Sequence, residues 1–69
     1  MSQSSIRNHV RGTVKEILSD KVVSEVVVET SAGTISAVIT TRSVDALGLK
    51  PGDTVDALIK ATHVSIERS

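Results

Sequence analysis

Ser5-Ile6-Arg7-Asn8 and Ile59-Lys60-Ala61-Thr62 concentrate hydroxyl, amide and cationic donors in two short stretches far apart in sequence, and neither stretch holds a carboxylate. That set suits a small, fully deprotonated oxyanion. A tetrahedral dianion such as molybdate or sulfate presents only acceptors, so a selective pocket takes donors from Arg, Lys, Ser, Thr and backbone N–H groups and excludes Asp and Glu. Phosphate keeps a proton at neutral pH and favours at least one acceptor. Arg7 offers a planar fork of N–H donors that can grip two oxygens at once, with Ser5 and Asn8 as neutral donors beside it. Thr40 and Ser43, where a strand is expected to lead into a helix, form a third donor pair, to which a helix start adds free N–H groups and partial positive charge. Taken singly, a solvated arm at Arg7 and a surface lysine at Lys60 are the ordinary explanations.

The elements that must position these groups are mostly strands. Residues 1–5 read as a flexible polar lead-in to a single domain spanning residues 1–69. Val10, Gly12 and Val14 alternate with Arg11, Thr13 and Lys15, the period of a half-buried strand expected from Asn8 to Leu18. Ser19-Asp20-Lys21 carries turn chemistry. Val22 to Thr30 then reads as a long strand, with Val22, Val26 and Val28 on one face and Val23 and Val27 on the other, a pattern of burial on both sides. Ser31-Ala32-Gly33 joins it to a strand from Thr34 to Thr40.

A helix is expected from Thr41 or Arg42 through Leu47, capped by Thr41 or Ser43, with Val44 and Leu47 facing the core and Gly48 stopping it. Leu49-Lys50-Pro51-Gly52-Asp53 is a turn. A strand from Thr54 to Ala61 follows, burying Val55, Ala57 and Ile59 and turning Lys60 with Thr62 to the opposite face. A last short strand is expected over Val64 to Glu67. Three strands, a short helix and two strands predict an all-β fold, a small five-stranded OB-like barrel with one short helix between the third and fourth strands.

Composition narrows the function classes. A chain of 69 residues buries only roughly 60% of its unfolded surface on folding and needs a further source of stability. No Cys is present for disulfides, and His9 and His63 stand alone, so no direct metal ligands and no structural zinc are expected. Oligomerisation is the remaining support. Eleven valines and no aromatic residue specify a β-rich aliphatic core. A formal net charge of zero lacks the footprint of a protein that neutralises many phosphates, so no nucleic-acid partner is expected. No run approaches the ~20 apolar residues of a membrane span, and Met1 to Ser5 lacks the basic start of a signal peptide; no membrane partner and a cytoplasmic location are expected. Asp and Glu are scattered, with none beside a nucleophile or base, and residues 48–52 lack the Gly-Lys-Ser/Thr ending of a phosphate loop. A catalyst is not expected.

Between Ser5 and Ile66 the chain resembles the molbindins, small Mop-type proteins of the TOBE class. The motifs are Ser5-Ile6-Arg7-Asn8-His9, Arg11-Gly12-Thr13-Val14, Ile39-Thr40-Thr41-Arg42-Ser43-Val44, a Leu-Gly-Leu-x-x-Gly turn at Leu47 to Gly52, and Val55-Asp56-Ala57-Leu58-Ile59-Lys60-Ala61-Thr62. The resemblance implies molybdate or tungstate as bound ligand with no organic cofactor, and a homo-oligomer, a hexamer built as a trimer of dimers. By the same resemblance Ser5, Arg7, Asn8, Thr40, Ser43, Lys60, Ala61 and Thr62 contact the oxyanion within one subunit or across an interface, Ala61 through its backbone. Two positions depart from the pattern: Ile6 replaces a small Ala and His9 replaces Gln. Residues 42–55 also resemble the central segment of swapped-hairpin AbrB-type transcription regulators, but no basic DNA face accompanies them. A single-strand nucleic-acid binder would need stacking aromatics, which are absent.

Overall fold

The structure is a computed structural model and describes residues 6–69. Four strands, β1 (Asn8–Ser19), β2 (Val23–Thr30), β3 (Gly33–Thr40) and β4 (Thr54–Ile59), form one antiparallel sheet in the order β3-β2-β1-β4. Helix α1 (Thr41–Leu47) lies between β3 and β4, and a single 3-10 turn (Ala61–His63) follows β4. The twelve residues of β1 are shared by two neighbours: Asn8 to Thr13 pair with β4, and Gly12 to Ser19 pair with β2.

At Lys15 the register slips, from Val14 opposite Val28 to Glu16 opposite Val27. This bulge turns the strand's faces over. Val10 and Val14 point inward before it and Ile17 after it, whereas unbroken alternation would have buried Glu16 and Leu18. Val14, Val26, Val28 and Val44 form the core, with Ile17, Ile39, Leu49 and Val55 packed around them. The turn before β4 docks directly on β1: Val14 N–H donates to Asp53 O and Gly52 N–H to Val14 O, both at 2.8 Å.

The expected five-stranded barrel is not formed. After Ile59 the chain leaves the sheet through the 3-10 turn, closed by His63 N–H donating to Lys60 O at 2.9 Å, so β4 ends two residues before Ala61 and residues 64–69 pair with no strand. Ile66 is 90% exposed. With no fifth strand bridging them, the edges β3 and β4 stay apart around an apolar groove of about 500 Å³ lined by Val28, Ile35, Ile39, Leu49, Val55 and Ile59. Burial of β2 is also one-sided: Val26 and Val28 are buried, Val23 is exposed, and Val22 lies before the strand and is exposed too.

The cap of α1 is neither Thr41 nor Ser43 but Thr40, whose extended backbone lets Oγ1 accept from Ser43 N–H at 3.0 Å. Val44 is buried as expected. Leu47 is exposed instead, because a helix of only seven residues presents a single full turn to the sheet. Gly48, at φ +62°, ends it.

Asp20 organises the β1–β2 turn. Its Oδ1 accepts from Val22 N–H at 2.7 Å and Val23 N–H at 2.8 Å, and its own N–H donates to Val23 O at 2.9 Å. The bonds from Val23 and then Val22 hold the carboxyl below its ordinary value of 3.8. A carboxylate depressed in the folded state stabilises fully above its unfolded value, and that contribution disappears as pH falls through the folded one. Asp20→Asn is therefore expected to melt below the parent at neutral pH, with the gap closing below about pH 4. Parallel melting curves from neutral pH to acid would contradict this.

Candidate functional site

The pairing of β1 with β4 joins the two ends of the donor set. Asn8 stands opposite Ile59, the last pair of that ladder, so Arg7 and Lys60 are the next residues out on adjacent strands. Asn8 secures the junction with its side chain, Nδ2 donating to Ile59 O at 3.0 Å. That amide is thereby partly committed, and Asn8 acts here as the clasp between the strands. Arg7, Lys60, Ala61 and Thr62 are all exposed, and neither cation takes part in the two ion pairs among the described residues, Arg11–Asp56 and Lys50–Asp53. Two positive groups without carboxylate partners on one sheet corner leave their donors available to an anion.

Ala61 and Thr62 open the 3-10 turn, in which the internal bonds come from His63 and Val64 N–H. The first N–H groups of such a turn are not used within it. Ser5 lies outside the described residues. His9, which the sequence singled out only as a departure from the Mop pattern, contacts the same arm: Nε2 lies 2.9 Å from Ile6 O. A carbonyl only accepts, so Nε2 is the donor in this contact, which ties His9 to the backbone leading into Arg7. Its neighbour Ile6 gave the sequence no hint of this contact, because a histidine three residues ahead is not a standard turn signal.

Thr40 and Ser43 are hydrogen-bonded to each other, with Thr40 Oγ1 and Ser43 Oγ 2.7 Å apart. Thr40 Oγ1 also accepts Ser43 N–H, so the pair spends one of its two hydroxyl protons internally and keeps one to donate outward. Within one chain this pair does not meet Arg7 and Lys60. Thr40 sits opposite Val23, beside the Ser19 end of β1, while Arg7 precedes its Asn8 end. The length of β1 lies between them, on the order of 35 Å of strand contour.

Lys21, Val22, Thr40 and Arg42 line a recess of about 330 Å³ beside the Thr40 pair. Sequence reading overlooked Lys21 and Arg42 because each stands alone in sequence. Only the packing of α1 against the β1–β2 turn brings them together, through Thr41 N–H donating to Val22 O at 2.9 Å. Among the described residues no three His, Asp or Glu side chains gather to hold a metal ion, and no helix is long and apolar enough to cross a membrane.

The fold and the sequence are similar to those of known proteins. The fold matches the high-resolution structure of a molybdate binding protein from Sporomusa ovata with a TM-score of 0.92 and 39% identity, covering 97% of this chain and all of that one. It also matches the molybdate-bound form of the cytoplasmic molybdate-binding protein ModG, at a TM-score of 0.81 and 41% identity over 87% of this chain and 43% of that one. The molybdenum-pterin-binding protein MopB of Rhodobacter capsulatus is 46% identical over 61 residues, 87% of this chain; the chain spans only 23% of that relative's length. Residues 4–66 match the TOBE domain model, and the chain belongs to the TOBE domain family, as its Mop-type motifs implied.

Proposed function

We propose that this chain is a single oxyanion-binding domain that holds molybdate or tungstate, without catalysis, at sites formed between copies of itself. The observation that carries the reading is the Asn8–Ile59 junction, which sets Arg7 and Lys60, neither of them in an ion pair among the described residues, next to each other on adjoining chain segments. Ser5, Arg7, Asn8, Lys60, Ala61 and Thr62 form one half of the site. Thr40 and Ser43 form the other, and because they lie at the far end of β1, a second copy must supply them. A charge-assisted hydrogen bond contributes on the order of 1.5–3 kcal/mol, so several converging on one anion reach micromolar affinity, about 8 kcal/mol.

The open groove between β3 and β4, together with the unpaired residues 64–69 carrying exposed Val64 and Ile66, favours assembly, since a second copy gives both an apolar partner. Family resemblance extends this to a hexamer built as a trimer of dimers. ModG is a cytoplasmic molybdate-binding protein whose crystal structures suggest a novel cooperative binding mechanism, which agrees with a cytoplasmic oligomer that buffers or stores its ligand. Molybdate and sulfate are both dianions, so the wider donor cage, and not charge, would select the larger one. MopB is named for molybdenum-pterin, whereas the donor corner here requires only the oxyanion.

Titration calorimetry with molybdate, tungstate and sulfate alone is the direct test. Saturable heat with the first two, weaker or none with sulfate, and an oligomer by light scattering are expected. No heat with molybdate or tungstate overturns the ligand; a monomer at micromolar concentration overturns the shared site.

A further inference from the structure

Ser24 is the one buried polar side chain among the described residues, 1% exposed in a valine core. Its hydroxyl lies 2.7 Å from Ser19 Oγ and 2.7 Å from Thr41 Oγ1, and Thr41 Oγ1 donates to Asp20 O at 2.7 Å. The carbonyl at the end of this chain dictates its direction. Because Asp20 O only accepts, Thr41 must spend its proton there, so Thr41 accepts from Ser24 and Ser24 accepts from Ser19. Thr41 N–H also donates to Val22 O, so the residue after Thr40 is tied to the β1–β2 turn through both backbone and side chain.

A buried hydroxyl costs desolvation that its hydrogen bonds only offset, and an apolar residue would serve packing alone as well or better. What the bonds provide is a fixed geometry where β3 passes into α1. The direction of the one spare hydroxyl proton on the Thr40–Ser43 pair depends on that junction, because Thr40 is extended and Ser43 is already helical. We propose that Ser24 and Thr41 are positioning residues that aim the Thr40–Ser43 donor pair at the bound oxyanion; this rests on the reading above that Thr40 and Ser43 contact it. Neither residue touches the anion. They act by holding the donor within the narrow tolerance that a multi-donor site requires.

The test is titration calorimetry with sodium molybdate on the full chain, at a temperature where circular dichroism shows each variant folded. Thr41→Val keeps the side-chain shape and removes the hydroxyl, and is expected to weaken binding roughly fivefold or more. Thr41→Ser keeps the hydroxyl and removes the methyl, and is expected to restore native affinity even if its melting temperature falls. Ser24→Ala is expected to weaken binding in the same direction, and it decides the matter if Thr41→Val does not fold. Native affinity in the folded variants lacking the relay, with only their melting temperatures lowered, would overturn the proposal. Thr40→Val separates loss of the contact from loss of its positioning. If it binds as tightly as the parent, the site reading itself fails; if it binds weakly while Thr41→Val and Ser24→Ala bind normally, only the positioning role fails.

Discussion

Gly12→Ala is expected to destabilise the fold by about 3 kcal/mol, a large share of the stability available to a domain of this size. A methyl group at Gly12 would stand 2.5 Å from Glu29 O, 2.6 Å from Val28 Cγ1 and 2.8 Å from Thr30 Cγ2. The nearest of these is backbone, which cannot rotate away. Gly12 is also paired on both sides, with Thr30 of β2 and Val55 of β4, at the point where β1 passes from one neighbour to the other. Relief must therefore come from moving β2 off β1, which loosens Val26 and Val28 in the core. Urea unfolding followed by circular dichroism measures the loss. Gly48→Ala is the control: nothing lies near its added methyl, its φ is +62°, and it should cost only about 1 kcal/mol. An unchanged midpoint for Gly12→Ala would mean that β2 can yield without cost.

Arg7→Ala and Lys60→Ala are each expected to weaken molybdate binding at least tenfold while leaving the melting temperature of the ligand-free protein nearly unchanged. Both side chains are exposed and neither joins an ion pair among the described residues, so little folded-state interaction is lost with them. Losing a hydrogen bond from a charged donor costs about 1.5–3 kcal/mol, which corresponds to roughly ten- to hundredfold in affinity. Arg7→Lys separates charge from geometry: it keeps the cation and loses the planar fork, so partial recovery is expected. The double variant should lose less than the product of the single losses if the two groups, which flank one junction, bind one anion as proposed. Calorimetric titration of the parent and all four variants supplies the comparison. Native affinity in either alanine variant would move the site off the β1–β4 corner.

Much of the strand layout was legible from local pattern. The alternation around Val14, the hairpin connection near Gly33, the Pro51-Gly52 turn and the helix ending at Gly48 rest on side-chain periodicity and turn chemistry confined to a few residues, which a sequence displays directly. The cap of α1 is Thr40 and not Thr41 or Ser43, since all three carry hydroxyls and only backbone geometry decides which one turns back. The bulge at Lys15 leaves no local mark. It shows only in the pairing of β1 with β2, and it puts Ile17, not Leu18, against the core.

The candidate site divides in the same way. By itself the sequence determined the chemistry: donor-rich, carboxylate-free stretches around Arg7, Lys60 and the Thr40–Ser43 pair, in a chain too small and too aliphatic to rely on its own core. Only the tertiary structure decided which of these groups meet. The β1–β4 register unites Arg7 with Lys60, and the length of β1 keeps Thr40 and Ser43 away from them. It also decided that the sheet stays open, because the 3-10 turn after Lys60 carries residues 64–69 away from the edge they were expected to close. Donor identity belongs to each side chain alone. Convergence and closure depend on contacts between residues distant in sequence, which local pattern does not encode.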